Sequence, residues 1–124
     1  MKYEPKIEKE FLCPLEYGLD IFGGKWKSRI ICVLSANDVM RYGELRKELG
    51  NIADAVLASM LKQLLANNMI NRIQYNEIPP KVEYSLTEKG RSILPILQSI
   101  CVWSRENTTE ELSRKLPPCM NCDQ

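Results

Sequence analysis

The chain has no histidine anywhere in its 124 residues. Histidine is the commonest general base and the commonest metal ligand, so its absence removes the usual centre of an acid–base triad and of most zinc sites. Net charge is missing too. The 17 basic and 16 acidic residues leave +1, so nucleic-acid binding cannot be argued from overall charge and any basic footprint must be local. No apolar stretch approaches the roughly 20 residues needed to cross a bilayer, and the start, MKYEPKIEKE, is charged where a secretion signal would be apolar. A cytoplasmic protein with no membrane partner is therefore expected. Internal repeats, low-complexity runs and glycine-rich nucleotide loops are also absent. With no closed metal cluster either, the chain lacks the parts of an enzyme, and no cofactor is expected.

What is present suffices for one core. The apolar content is 44%, and the five cysteines, an odd number, fit free thiols in a reducing compartment better than a disulfide framework. Residues 1–12 mix charges and carry Pro5, so they read as an arm. Pro14 suits a first helical position, and Leu15, Leu19 and Phe22 recur as the buried stripe of a short helix ending at Gly23 and Gly24. Trp26, Ile30, Val33 and Leu34 give the next helix its core face. Asn37 and Asp38 mark a turn, after which Val39 to Arg41 fits a short edge strand.

The middle of the chain is the most informative part. RYGELRKEL, from Arg41 to Leu49, places Tyr42, Leu45 and Leu49 on one helical face and Glu44, Arg46, Lys47 and Glu48 in water; Gly50 stops it. In the helix predicted from Ala53 to Asn67, Leu57, Met60, Leu61, Leu64 and Leu65 face the core. Asp54, Ala55, Ala58, Ser59 and Lys62 then share the opposite face, the candidate reading surface. Ile70 to Tyr75 and Lys81 to Leu86 are strand-like, around a tip stiffened by Pro79 and Pro80. Two helices with a tight turn followed by a hairpin is the build of a DNA-reading unit.

Thr87 is a plausible cap for one last long helix in which Ile93, Ile96, Leu97, Ile100, Cys101 and Trp103 cover more than one face. One small domain offers one core, so the second apolar side predicts a partner subunit. After Asn107 the chain turns polar, with a short helix around Glu110 to Lys115 and a tail ending in CMNCDQ. The expected division is an arm over 1–12, a domain over 13–107 and a tail over 108–124.

Taken together, CPLEYGLDIFGGKWKSRII, RYGELRKEL, the leucine-rich helix and IPPKVEYSLTEKGRSILPIL resemble the HxlR-type winged-helix transcriptional regulators, relatives of the MarR group, over roughly residues 11–105. The shared pattern is a Cys-Pro entry at Cys13 and Pro14, GGKW at Gly23 to Trp26, an R-aromatic-x-E-L segment at Arg41 to Leu45, and PPKVEYSLTEKG from Pro79 to Gly90. The resemblance implies a mainly α fold with a small β-hairpin wing, a winged helix-turn-helix that dimerises through its N- and C-terminal helices. It also implies a homodimeric regulator that places two recognition helices in successive major grooves of double-stranded DNA; repression is expected over activation because a dimer of this size has little surface for recruiting polymerase. A twofold dimer needs its reading elements about 34 Å apart, which predicts a palindromic operator. One departure stands out: the family's usual Ser and following polar residues at the recognition-helix start are here Ala53, Asp54 and Ala55. Ala53 offers no capping hydroxyl, and Asp54 repels phosphate unless it faces a cytosine amino group.

Basic residues expected near DNA are Lys25, Lys27, Arg41, Arg46, Lys47, Lys62 and Lys81, with Arg41, Lys62 and Lys81 best placed. Gln63 lies beside the reading face. Trp26, Tyr42, Tyr84 and Trp103 have the periodicity of core or dimer packing. Leu15, Leu19, Ile93, Ile96, Leu97, Ile100 and Trp103 are the expected dimer contacts.

Cys13 starts a helix, where unpaired amides and the dipole stabilise an anion, so it is either a thiol sensor for an oxidant or small electrophile or a small buried hydrophobe. Some members of the resembled family respond to oxidants or electrophiles through a cysteine at this entry position. Cys32 and Cys101 fall on apolar faces. Cys119 and Cys122 form a CxxC that could be half a zinc site, a local disulfide, or the resolving thiol for Cys13 of the other subunit. The competing class is a winged-helix protein-interaction module without DNA affinity, which the neutral charge and Asp54 favour.

Overall fold

The computed structural model describes residues 10–115. In chain order the elements are α1 (Pro14–Phe22), α2 (Lys27–Asn37), β1 (Val39–Arg41), α3 (Tyr42–Leu49), α4 (Asp54–Ala66), β2 (Ile70–Tyr75), β3 (Lys81–Leu86), α5 (Glu88–Ser92), α6 (Leu94–Glu106) and α7 (Glu110–Lys115). The fold is mostly helical around a small antiparallel sheet of order β1-β3-β2. The terminal CxxC and most of the arm lie outside the described residues.

The core sits where α2, α3 and α4 meet one face of the sheet. Ile30, Ile31, Leu34, Leu45, Leu57 and Leu64 are fully enclosed, each stabilising the fold by about 1.5–3 kcal/mol relative to exposure. Strand alternation explains the sheet's contribution. Ile70, Tyr84, Leu86 and Met40 point inward, while Ile73, Tyr75 and Val39 stay on the outer side. Register follows from this pattern, with Ile70 opposite Leu86 and Tyr75 opposite Lys81. Gly50, at φ +78°, ends α3 in a conformation other residues enter with strain, and lets the chain turn directly into α4.

The hairpin's far end is tied to the helices by the segment Thr87 to Gly90. Thr87 Oγ1 caps α5 by accepting from the Gly90 amide at 2.9 Å and donates to the Asn68 carbonyl at 2.7 Å, and the Thr87 amide donates to the Met69 carbonyl at 3.1 Å. Lys89 Nζ donates to the Asn67 carbonyl at 2.8 Å. Thr87, Lys89 and Gly90 therefore lock the turn between α4 and β2, which sets the angle between that helix and the hairpin.

The single long C-terminal helix expected from the sequence is divided at Ile93 into α5 and α6. Pro95 is the cause: it has no amide to offer the Arg91 carbonyl, and its ring clashes with that position. A second correction concerns α1, where Leu15 and Leu19 are 67% and 48% exposed and the buried residue is Ile21. Of the stripe predicted to be buried, Leu15 and Leu19 are thus uncovered in the single chain, while Phe22 packs against the core. Leu97, expected at the dimer interface, is only 5% exposed and belongs to the chain's own core, with Ile93 packed against it. No helix among the described residues is long and apolar enough to cross a membrane.

Candidate nucleic-acid interface

Helices α3 and α4, joined by residues 50–53, place one exposed helical face beside the β2–β3 hairpin. On α4, Leu57, Leu61 and Leu64 are buried, which turns Ala55, Ala58, Ser59 and Lys62 outward. Ala66 continues that row and was not anticipated. The face is made of small side chains with one cation, so nothing bulky holds the helix backbone away from a groove.

The start of α4 has no side-chain cap, as the alanine at position 53 dictates. Asp54 takes over part of that function, since its charge lies in the first turn and complements the helix dipole. Its carboxylate is also engaged. Arg46 Nε lies 3.1 Å from Asp54 Oδ1, and the Tyr42 hydroxyl donates to the same oxygen at 3.2 Å. Burial first, and then the hydrogen bond to Asp54, raise the pKa of the Tyr42 hydroxyl above its ordinary value. Tyr42 and Arg46 stand one turn apart on α3, so both reach the start of α4.

Other expected contacts fall into distinct places. Arg41 is exposed at the start of α3, its amide donating to Glu44 Oε1 at 2.9 Å, and Lys47 is exposed in that helix's last turn. Lys81 is half-buried, paired with Glu83 at 3.6 Å and seated over the Tyr75 ring at 4.9 Å. A hydrogen bond to the Glu83 carboxylate raises the Tyr75 hydroxyl above its usual range. Lysine 81 therefore works inside a small wing-tip cluster and is no isolated cation.

Lys27 does not belong to the basic footprint. It is 8% exposed, and its ammonium donates to the Asp20 carbonyl and, at 3.4 Å, to Gln63 Oε1, so it pins α1 and α4 to the start of α2. Gln63, which also donates to Ser59 Oγ at 3.3 Å, is correspondingly structural. Lys25 and Arg29 approach Trp26 with 4.7 and 5.2 Å to its ring centroid. Tyr84 is buried as expected, whereas Trp103 is 65% exposed.

Cys13 is exposed just ahead of Pro14, with extended backbone, and its carbonyl accepts from the Glu16 amide at 3.1 Å. Cys32 and Cys101 are half-buried. Among the described residues no group of three or more histidine, cysteine, aspartate or glutamate side chains is placed to hold a metal ion.

The sequence pattern of the HxlR-like helix-turn-helix family matches residues 21–113, which contain α3, α4, the hairpin and α6. The chain belongs to this family. A helix-turn-helix transcriptional regulator of Halalkalibacterium halodurans, itself uncharacterised, is 41% identical over 106 residues, covering 86% of this chain and 94% of that one. Among solved structures, the redox regulator HypR in its oxidised form superposes with a TM-score of 0.71 at 37% identity, covering 78% of this chain and 99% of HypR. The reduced form of the transcriptional regulator YodB from B. subtilis gives 0.69 at 32% identity over 78% of this chain and 95% of YodB. As an HxlR-like protein the chain is a winged helix-turn-helix DNA-binding regulator with no enzymatic role. Two segments of the resemblance, GGKW and LTEKG, have structural tasks here: the first leads into the buried Lys27, and the second locks the hairpin to α4.

Proposed function

We propose that this HxlR-like chain acts in the cytoplasm as a homodimeric repressor of a palindromic operator, with residues 13–107 as the DNA-binding and dimerising unit. The observation that carries the reading is the narrow exposed face of α4, Ala55, Ala58, Ser59 and Lys62, set beside a hairpin wing. The dimer rests on a second uncovered surface, since Leu15, Leu19, Ile96, Ile100 and Trp103 are each about half exposed or more. Fluorescence anisotropy on DNA from upstream of its own and neighbouring genes, over a salt series, tests it. Tight binding to one fragment that weakens steeply with salt is expected; binding to none rejects it.

Replacing Lys62 by alanine should weaken operator binding several-fold and leave the dimer intact, because one phosphate or base contact is lost from an exposed position. Wild-type affinity in that variant would remove Lys62 from the contact set.

We also infer that Cys13 senses oxidants or electrophiles, with Cys119 or Cys122, outside the described residues, as its partner. Its exposure and its place at the start of α1 support this, as does the likeness to HypR, a redox regulator. Diamide should release the wild-type protein from DNA and leave Cys13→Ser bound. Equal release of both rejects the sensor.

The competing reading, a protein-interaction module without DNA affinity, draws on the pairing of Arg46 with Asp54 and of Lys81 with Glu83, which cancels charge at the face. A salt-insensitive protein complex together with no DNA binding would favour it.

A further inference from the structure

The ion pair between α3 and α4 raises a question that stability does not answer. Arg46 and Asp54 are 50% and 64% exposed, and exposed pairs of this kind contribute little to the stability of a fold. Yet a second group, the Tyr42 hydroxyl, also holds the Asp54 carboxylate. Three side chains are thus organised on the surface where α3 and the first turn of the reading helix meet.

We propose that Asp54 is a positioning residue that presents Arg46 to the O6 and N7 edge of a guanine in the major groove. This rests on the DNA-binding reading above. A guanidinium has five N–H donors in a rigid plane, and occupying Nε with Asp54 leaves both terminal nitrogens, on the opposite end, for a paired contact. Guanine offers two acceptors in the matching arrangement. Tyr42 restrains the carboxylate, so the guanidinium is held through Asp54 before DNA arrives and less side-chain freedom is lost on binding.

Charge decides between base and backbone. A phosphate drawn to Arg46 would also approach the Asp54 carboxylate 3.1 Å from Nε, and two anions would then share one cation. A guanine edge is neutral and brings no such repulsion. Asp54 therefore lowers the attraction of this arginine for DNA of any sequence while leaving its attraction for guanine in place, which makes it a discriminating element.

The test starts by selecting duplexes from a randomised DNA pool with the wild-type protein. Anisotropy is then measured on the selected duplex and on a mixed-sequence duplex of equal length. Wild type, Arg46→Ala, Asp54→Ala, the double variant and Tyr42→Phe are compared. Arg46→Ala should weaken the selected duplex by about 10- to 100-fold, the range for losing one paired base contact. Asp54→Ala should weaken it by about tenfold without weakening the mixed duplex, and the double variant should match Arg46→Ala alone. Tyr42→Phe should fall between wild type and Asp54→Ala. One guanine in the selected site should lose its preference in both the Arg46 and Asp54 variants, and 7-deazaguanine there should cost the wild type alone.

Equal tightening of both duplexes by Asp54→Ala would reduce that residue to a repulsive charge and overturn the proposal. Losses that multiply in the double variant would overturn it as well. So would an unchanged affinity in Arg46→Ala, or uniform weakening of both duplexes, which marks a phosphate contact. Thermal unfolding within a few degrees of wild type verifies that the variants fold. Failure of the wild-type protein to enrich any sequence or bind any duplex would instead defeat the DNA-binding reading itself, a pattern distinct from all of these.

Discussion

Aspartate at both Ile96 and Ile100 is expected to convert the proposed dimer to a folded monomer with little affinity for a twofold DNA site. Both side chains are about half exposed in the single chain, at 51% and 48%, so little of the chain's own core depends on them. In the proposed dimer they are covered. Covering the remaining half of each side chain there stabilises association by about 1 kcal/mol, and an unpaired carboxylate in its place costs more. Four such changes per dimer should weaken association about a thousand-fold or more. Sedimentation or light scattering would report half the mass, with helical circular dichroism retained. A dimer of unchanged stability would show that the α6 face packs elsewhere. Leu97→Asp serves as contrast: that residue is 5% exposed, so the expected result is an unfolded chain, not a folded monomer.

The second large effect comes from one methyl group. A Cβ at Gly90 would stand 2.1 Å from the Met69 carbonyl oxygen, and the obstacle is backbone that the Thr87 amide already engages. Neither side can yield without breaking the turn between α4 and β2. Gly90→Ala should therefore lose about 3 kcal/mol, the upper part of the usual overpacking range. For a domain of this size that lowers Tm by roughly 9–13 °C. Gly43→Ala is the control, since nothing lies within 4 Å of a Cβ there and alanine favours a helix by up to ~1 kcal/mol. A Gly90 variant as stable as Gly43→Ala would refute the close approach. DNA affinity should fall with Gly90→Ala even where the protein remains folded, because the hairpin would leave its angle to α4.

Several elements were legible in the sequence for identifiable reasons. Ile70–Tyr75 and Lys81–Leu86 appear as expected, because their alternation and the Pro-Pro tip admit little else. Helix α4 begins one residue later than predicted and ends one earlier, within the ordinary uncertainty of helix ends. The short α7 also lies where its composition placed it. The division at Ile93 was harder to see, since the apolar period runs on unbroken while Pro95 interrupts only the backbone bonding.

The site was less legible than the fold. Periodicity places Ala55, Ala58, Ser59 and Lys62 outward, but it cannot tell which charges neutralise one another. The match of Asp54 with Arg46, eight positions apart, depends on how two helices meet. The burial of Lys27 was equally hidden, because composition treats a lysine as surface while its long apolar stem lets the ammonium reach a helix-end carbonyl from inside.

The division between α5 and α6 acts as a joint between two tasks. On one side, α5 is fastened to the α4–β2 turn through Thr87, Lys89 and Gly90; on the other, α6 carries the uncovered apolar face, and beyond Leu97 none of its residues is fully buried. Thirteen residues of helix make a lever about 20 Å long. A swing of roughly 5° at its base moves the far end by about 1.7 Å, near half the ~3.4 Å rise of one base step. In the proposed dimer, the tolerance for the spacing of two half-sites would then depend on how stiffly Pro95 and Leu97 hold one hinge.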